Sequence, residues 1–246
     1  MENILNIPII HEDANILVIN KPSGLVVNNA KTVSGSTLMD WIEERGFNSL
    51  DNITASEFEL RRGVIHRLDK GTSGVMVIAK DKESFERIQS QFKNRLVTKE
   101  YIALVHADGL KQKLLDPAFQ RFVVDVPIGR NPKNRLKWAV VANGRNALTE
   151  FTISKIFSEP LMLLNCFPKT GRTHQIRVHL AAINCPVVCD KLYLNRRDYN
   201  SDSKWCPRIF LHASRLSFMH PISGDTVSFV ADLPEDLKIA LEKLES

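Results

Sequence analysis

The sequence predicts an α+β fold with a mixed, largely antiparallel sheet. Three features predict it. Apolar runs of strand length are many, segments of helical period are few, and the two do not alternate regularly as they would around a parallel sheet. The 246 residues are 43% hydrophobic and 25% charged, the make-up of a folded chain rather than a disordered one. No internal repeat or low-complexity stretch interrupts them.

The elements follow in order. Residues 16–20 read as a first strand, ended by the turn signal Lys21-Pro22-Ser23-Gly24. Ser36 is expected to cap a helix running through Glu44, with Leu38, Trp41 and Ile42 apolar and Gly46 as its stop. Residues 48–62 carry no period and are expected to form a surface loop. Residues 75–79 are a short apolar run bounded by glycine, a buried strand, so Asp69 falls on the turn that enters it. Asp81 caps the next helix, in which Phe85, Ile88, Phe92 and Leu96 recur at helical spacing.

A strand at 101–105 comes next, and the polar, interrupted stretch 108–121 reads as a connection between two halves. Strand-like runs follow at 122–126, 138–142, 149–154 and 161–167. A helix capped by Thr173 is expected to turn Ile176, Leu180 and Ile183 to the core. Residues 194–207 read as a long loop, 208–212 and 226–230 as strands, and Leu237, Ala240, Leu241 and Leu244 as the apolar face of a closing helix.

Composition excludes some functions. Lys plus Arg exceed Asp plus Glu by 33 to 28, a net +5 that suits a polyanionic partner or a merely solvated basic surface. No apolar run approaches membrane-spanning length and the N-terminus lacks signal or transit character, so a cytoplasmic protein is expected. Cys166, Cys185, Cys189 and Cys206 are too scattered for a disulfide scaffold. Cys185 and Cys189, with His174 and His179 nearby, lack the Cys-x2-Cys spacing of zinc sites; buried free thiols and no metal are expected. Nothing demands an obligate interface, so a monomer is expected.

Three stretches carry chemistry. HRLDKGTSG at 66–74 holds one carboxylate between a basic pair and a Gly/Thr/Ser turn. Carboxylates are seldom buried unless paired, so a rigid Asp69 beside arginines is either a structural ion pair or a catalytic group. KTGRTHQIRVH at 169–179 gathers Thr173, His174 and Arg177 on one side of a helix, fit to meet an anion, either phosphate or Asp69. KEY at 99–101 starts a strand with Tyr101, whose ring faces either the core or a cleft.

This ordered set resembles the RluA family of RNA pseudouridine synthases, supported by NKPSGL at 20–25, PIGR at 127–130, CDKLY at 189–193 and LHASRLSF at 211–218. The resemblance implies the pseudouridine synthase fold, a sheet in two halves around a central catalytic cleft. It implies one catalytic domain over 1–246, with a family core at about 11–233 and no separate N-terminal RNA-binding domain. It further implies that Asp69 is the catalytic carboxylate, that Tyr101 stacks on the target uracil, that Arg177 pairs with the carboxylate, and that Arg67 fills the gap left by the flipped nucleotide. Around them, His66, Thr72, Arg172 and His174 are expected to contact RNA. Cys189 departs from the family's Gly-Asp-x-x-Tyr pattern, while Asp190 and Tyr193 keep it.

The reaction explains these residue types. Pseudouridylation breaks the bond from ribose carbon 1′ to uracil nitrogen 1, turns the base and rejoins it through carbon 5. It is redox-neutral and needs no cofactor. A carboxylate acts either as nucleophile or as base toward the 2′ proton. Either way it must stay charged; burial opposes that and a guanidinium restores it. The base must first leave its stack, which is cheapest in RNA loops, and stacking on tyrosine returns about 1–3 kcal/mol. Backbone contacts are expected from the basic stretch 121–145, above all Arg130, Lys133 and Arg135, and from the loop around Arg196, Arg197, Lys204 and Trp205. The expected partner is ribosomal or transfer RNA. A kinase would need Asn where Gly74 stands, and a zinc deaminase would need Pro-Cys-x-x-Cys, so neither fits. A non-catalytic RNA-binding protein on the same fold is the remaining rival.

Overall fold

The computed structural model describes residues 6–28, 35–46, 56–157 and 161–245. In chain order its elements are β1 (Ile9–Glu12), β2 (Ile16–Lys21), α1 (Leu38–Glu44), α2 (Glu57–Leu60), β3 (Ser73–Ala79), α3 (Lys82–Lys93), β4 (Thr98–His106), β5 (Arg121–Asp125), β6 (Ile128–Arg130), β7 (Trp138–Val140), β8 (Leu148–Ile156), β9 (Leu161–Pro168), α4 (Gln175–Ala182), α5 (Arg196–Asp202), β10 (Leu211–Met219), β11 (Thr226–Val230) and α6 (Glu235–Glu242). The α+β class and the largely antiparallel pairing are as expected. The chain divides into two compact units, one of residues 1–98 and 213–232, the other of 99–212 and 233–246.

In the first unit the strand order is β1-β2-β3-β10, with β11 on β10. β2 and β3 run antiparallel, from Ile16 opposite Ala79 to Lys21 opposite Gly74. Every residue of β3 is buried, hence its unbroken apolar run. Val75, Val77 and Ala79 pack on Phe85 and Ile88 of α3, and burying each large side chain contributes about 2 kcal/mol. Asp81 caps α3, accepting from the Ser84 N–H at 2.8 Å.

Three expectations for this unit are corrected. Thr37, not Ser36, caps α1: the Asp40 N–H donates to Thr37 Oγ1 and Asp40 Oδ2 accepts from the Thr37 N–H at 2.8 Å. That reciprocal box needs an acidic or amide side chain three residues on, and Ser36 would meet Met39. The stretch 56–62, expected as loop, contains α2, opened by the same device between Ser56 and Glu59; residues 48–55 of that expectation lie outside the described residues. Leu96 is 62% exposed, because Asn94 ends α3 and Arg95 turns left-handed at φ 61°.

In the second unit β4-β9-β8-β5 form an antiparallel sheet, and β6 and β7 a short hairpin. Phe151, Leu164 and Cys166 of the sheet pack with Ile176 and Leu180 of α4. On α6, Leu237 and Ala240 are buried with Leu104, Val188 and Phe210. The loop expected at 194–207 holds α5 instead, capped by Asn195, whose Oδ1 accepts from the Asp198 N–H at 3.0 Å. Its polar sequence hid a helix started by a cap rather than by a hydrophobic period. Of the strand expected at 208–212 only 211–212 belong to β10, which runs on to Met219, and β1 and β6 were not expected. All four cysteines are buried and free. Among the described residues no helix is long and apolar enough to cross a membrane.

Candidate active site

In the first unit two sequence motifs build one turn. The Asp69 carbonyl accepts from the Thr72 N–H at 3.0 Å, closing the loop that enters β3. The NKPSGL segment clamps it: the Gly24 N–H donates to the Lys70 carbonyl and the Ser23 hydroxyl to the Gly71 carbonyl, each at 2.8 Å. That clamp is itself wrapped around Lys21, which is fully buried and donates to the carbonyls of Pro22 (2.8 Å) and Leu25 (2.9 Å). Buried ammonium groups persist only when so satisfied. Gly74 is required: its φ is +123°, and a Cβ there would lie 2.1 Å from the Ala213 carbonyl oxygen. Asp69 is therefore held on a rigid turn and is itself half-buried, with Arg67 exposed and Thr72 buried. His66 stacks on Phe92 at 4.8 Å, and its Nε2 accepts from the Val77 N–H at 3.1 Å.

In the second unit Tyr101 lies opposite Cys166 on β9, half-buried against the core. Two residues earlier Lys99 donates to the Thr170 carbonyl at 3.0 Å, and burial brings its pKa down to about 8. From Thr170 a buried polar chain runs under α4. The Thr170 hydroxyl donates to Gln175 Oε1 at 2.6 Å, and Gln175 Nε2 donates to the Thr149 hydroxyl at 3.0 Å. That hydroxyl is bonded to His179 Nδ1 at 2.9 Å, and His179 Nε2 to the Val126 carbonyl at 3.3 Å. A helix this polar is buried because every member has a partner. Gln175 and His179, four apart, form the inner stripe that the sequence reading passed over.

The same helix presents Arg177. It pairs in fork fashion with Asp190, Nε to Oδ2 and Nη2 to Oδ1, both at 2.7 Å, and both side chains are buried. Asp190 also accepts from the Leu192 N–H at 2.9 Å. Tyr193, at the end of that turn, lies against the guanidinium, with Arg177 Cζ 5.1 Å from the ring centre. His174, not Thr173, precedes α4; it takes the left-handed conformation at φ 57° and makes no side-chain cap. Its Nδ1 is bonded to the Tyr193 hydroxyl at 2.9 Å. Arg172 donates through Nε to the Asn146 carbonyl at 3.0 Å. In the hairpin Arg130 covers Trp138 at 4.8 Å and donates to the Arg135 carbonyl, while Lys133 and Arg135 are exposed.

The structure thus gathers His66, Arg67, Asp69 and Thr72 in the first unit, and Tyr101, Arg172, His174 and Arg177 in the second. Among the described residues no group of three or more His, Cys, Asp or Glu side chains is placed to hold a metal ion.

Residues 15–182 match the family model described as RNA pseudouridylate synthase. The chain belongs to this family. It is an RNA pseudouridine synthase, an isomerase of uridine in RNA. A Bacillus subtilis protein named as an RNA pseudouridine synthase is 35% identical over 98% of this chain and 73% of its own length. A Xanthomonas campestris protein named ribosomal large subunit pseudouridine synthase D is 36% identical over 96% of this chain and 69% of its own. The solved structure of human RNA pseudouridylate synthase domain containing 4 matches with a TM-score of 0.68 at 26% identity, covering 97% of this chain and 93% of that one. The RluA-type resemblance and the mixed, largely antiparallel α+β pseudouridine synthase fold are both borne out.

Proposed function

We propose that this enzyme isomerises specific uridines of structured ribosomal or transfer RNA, with ribosomal RNA favoured, and that Asp69 is its catalytic carboxylate. The observation that carries the reading is the doubly clamped turn that presents Asp69, in a chain 36% identical to a relative named for the large ribosomal subunit. Tyr101 stacks on the target base and Arg177 is the guanidinium that keeps the carboxylate ionised. Arg67 fills the gap left by the flipped nucleotide; His66, Thr72, Arg172 and His174 contact the nearby RNA, and Arg130, Lys133 and Arg135 its phosphates. Asp69 either attacks carbon 1′ as the bond to nitrogen 1 breaks, and leaves again when carbon 5 of the turned base bonds carbon 1′, or takes the 2′ proton as the bond to nitrogen 1 breaks and returns it to carbon 2′ when carbon 5 bonds carbon 1′. In both routes carbon 5 then gives up its proton and nitrogen 1 gains one. We place the enzyme in the cytoplasm, acting as a monomeric catalytic domain without metal or cofactor.

The test is carbodiimide mapping of pseudouridine in total RNA from cells with and without this protein. Reverse-transcription stops should vanish at one or a few ribosomal uridines and return with wild type but not with Asp69→Asn. That variant should lose roughly 10⁴-fold or more in turnover while retaining RNA binding. Restoration of the stops by Asp69→Asn would remove Asp69 from the mechanism, and stops lost only in transfer RNA would reassign the substrate.

A further inference from the structure

Tyr193 stands where helix, turn and hairpin meet in the second unit. Its hydroxyl accepts from the Trp138 N–H at 2.9 Å and is bonded to His174 Nδ1 at 2.9 Å. Its ring lies 5.1 Å from Arg177 Cζ and 6.0 Å from Lys137 Nζ. It packs with Trp138 against Ile128, Ala147 and Val178. The backbone N–H of Tyr193 is itself fixed, 3.2 Å from the Asp190 carbonyl, so the residue that grips the edge of Arg177 and the one that covers its face belong to one turn.

The hairpin needs such an anchor. Its strands have three residues each, too few for a two-stranded ribbon to hold by itself in water. The Trp138 N–H points away from β6, and its acceptor is a side chain 55 residues distant. This hairpin also carries the exposed Lys133 and Arg135.

We propose that Tyr193 is a positioning residue with two separable duties: its ring sets the plane of the Arg177 guanidinium, and its hydroxyl sets the placement of the basic hairpin. The proposal rests on the reading of Arg177 as the active-site guanidinium. It assigns the ring to kcat and the hydroxyl to KM. Removing the hydroxyl alone leaves the ring over Arg177 and releases the β7 edge of the hairpin at Trp138, while β6 keeps its backbone pair with Arg145; removing the ring undoes both duties.

The experiment compares wild type, Tyr193→Phe and Tyr193→Leu. Turnover is read as tritium release from in vitro transcribed large-subunit ribosomal RNA labelled at uridine carbon 5, and exchange of the Trp138 amide is read by NMR. Tyr193→Phe should raise KM by roughly fivefold, the value of one net hydrogen bond, with kcat within about twofold, and should speed Trp138 exchange. Tyr193→Leu should in addition lower kcat by about tenfold or more. Unchanged KM and unchanged Trp138 exchange in Tyr193→Phe would overturn the hydroxyl's duty. Equal kcat in the two variants would overturn the ring's. A wild type without turnover on this RNA would overturn the functional reading, whereas an active wild type with unaltered variants would overturn this proposal alone.

Discussion

Cys189 occupies a position that the backbone has shaped for glycine. Its φ is 56°, the left-handed region, which costs an ordinary residue about 1–2 kcal/mol. The family pattern has Gly just before the Asp of Gly-Asp-x-x-Tyr, and the geometry gives the reason. What offsets the cost is burial: the Cys189 N–H donates to Asp202 Oδ2 at 3.1 Å and Sγ lies 3.0 Å from the Cys206 carbonyl. Cys189→Gly should therefore fall within about 1 kcal/mol of wild type in urea unfolding, relief of strain cancelling lost packing. Cys189→Val, β-branched at the same φ, should lose about 2 kcal/mol or more. A valine variant as stable as wild type would contradict this account. Arg177, paired with Asp190, the residue after Cys189, shows where residue-level reading stops. The sequence marked it as an anion's partner, and the structure supplies Asp190 as one such anion.

Among the elements, the β6–β7 hairpin answers most directly to charge. Its turn is held by backbone and amide groups: Asn131 Oδ1 accepts from the N–H groups of Lys133 and Asn134 at 2.9 and 3.0 Å. Arg130 uses the carbonyl of Arg135, not its side chain. Lys133 and Arg135 can thus be truncated without dismantling the turn. If they contact phosphates, the double alanine variant should reduce the slope of log K against log salt by about 1 for each charge, with stability unchanged. An unaltered slope would return this face to bland solvated surface. The helices teach a different lesson. α1 and α2 begin where Thr37 and Ser56 find Asp40 and Glu59 three residues on, a spacing visible in the sequence once the reciprocal bond is sought. α4 begins with a left-handed His174 and no cap, so its start was not visible; what carries it is the polar chain beneath.

For the molecule as a whole, the buried His179 and the partly buried His106 make stability depend on pH in opposite senses. Burial lowers the pKa of His179 below 6.5, outweighing the Val126 carbonyl. The unfolded chain therefore takes up a proton that the native one refuses, and this contribution is full above pH 6.5 and lost as pH falls below it. For His106 burial acts the same way, but the Asp202 carboxylate, 2.9 Å from Nε2, outweighs it and raises the pKa. Its contribution is full below pH 6.5 and lost as pH rises through the raised value. In urea unfolding the stability gap between wild type and His106→Asn should narrow from pH 6 to pH 8, whereas wild type should gain on His179→Asn over the same range. A constant gap in either series would dismiss the corresponding pair. The sequence by itself determined the class of fold, the order of most elements and the residues offered to chemistry, because hydrophobic period, turn residues and motif spacing are local properties written within a few residues. Only the tertiary structure decided who holds whom: Asp190 on Arg177 from thirteen residues away, Tyr193 on Trp138, and Ser23 and Gly24 on the turn of Asp69. Those partners are chosen by chain segments meeting in space, and no period along one segment records which other segment it will meet.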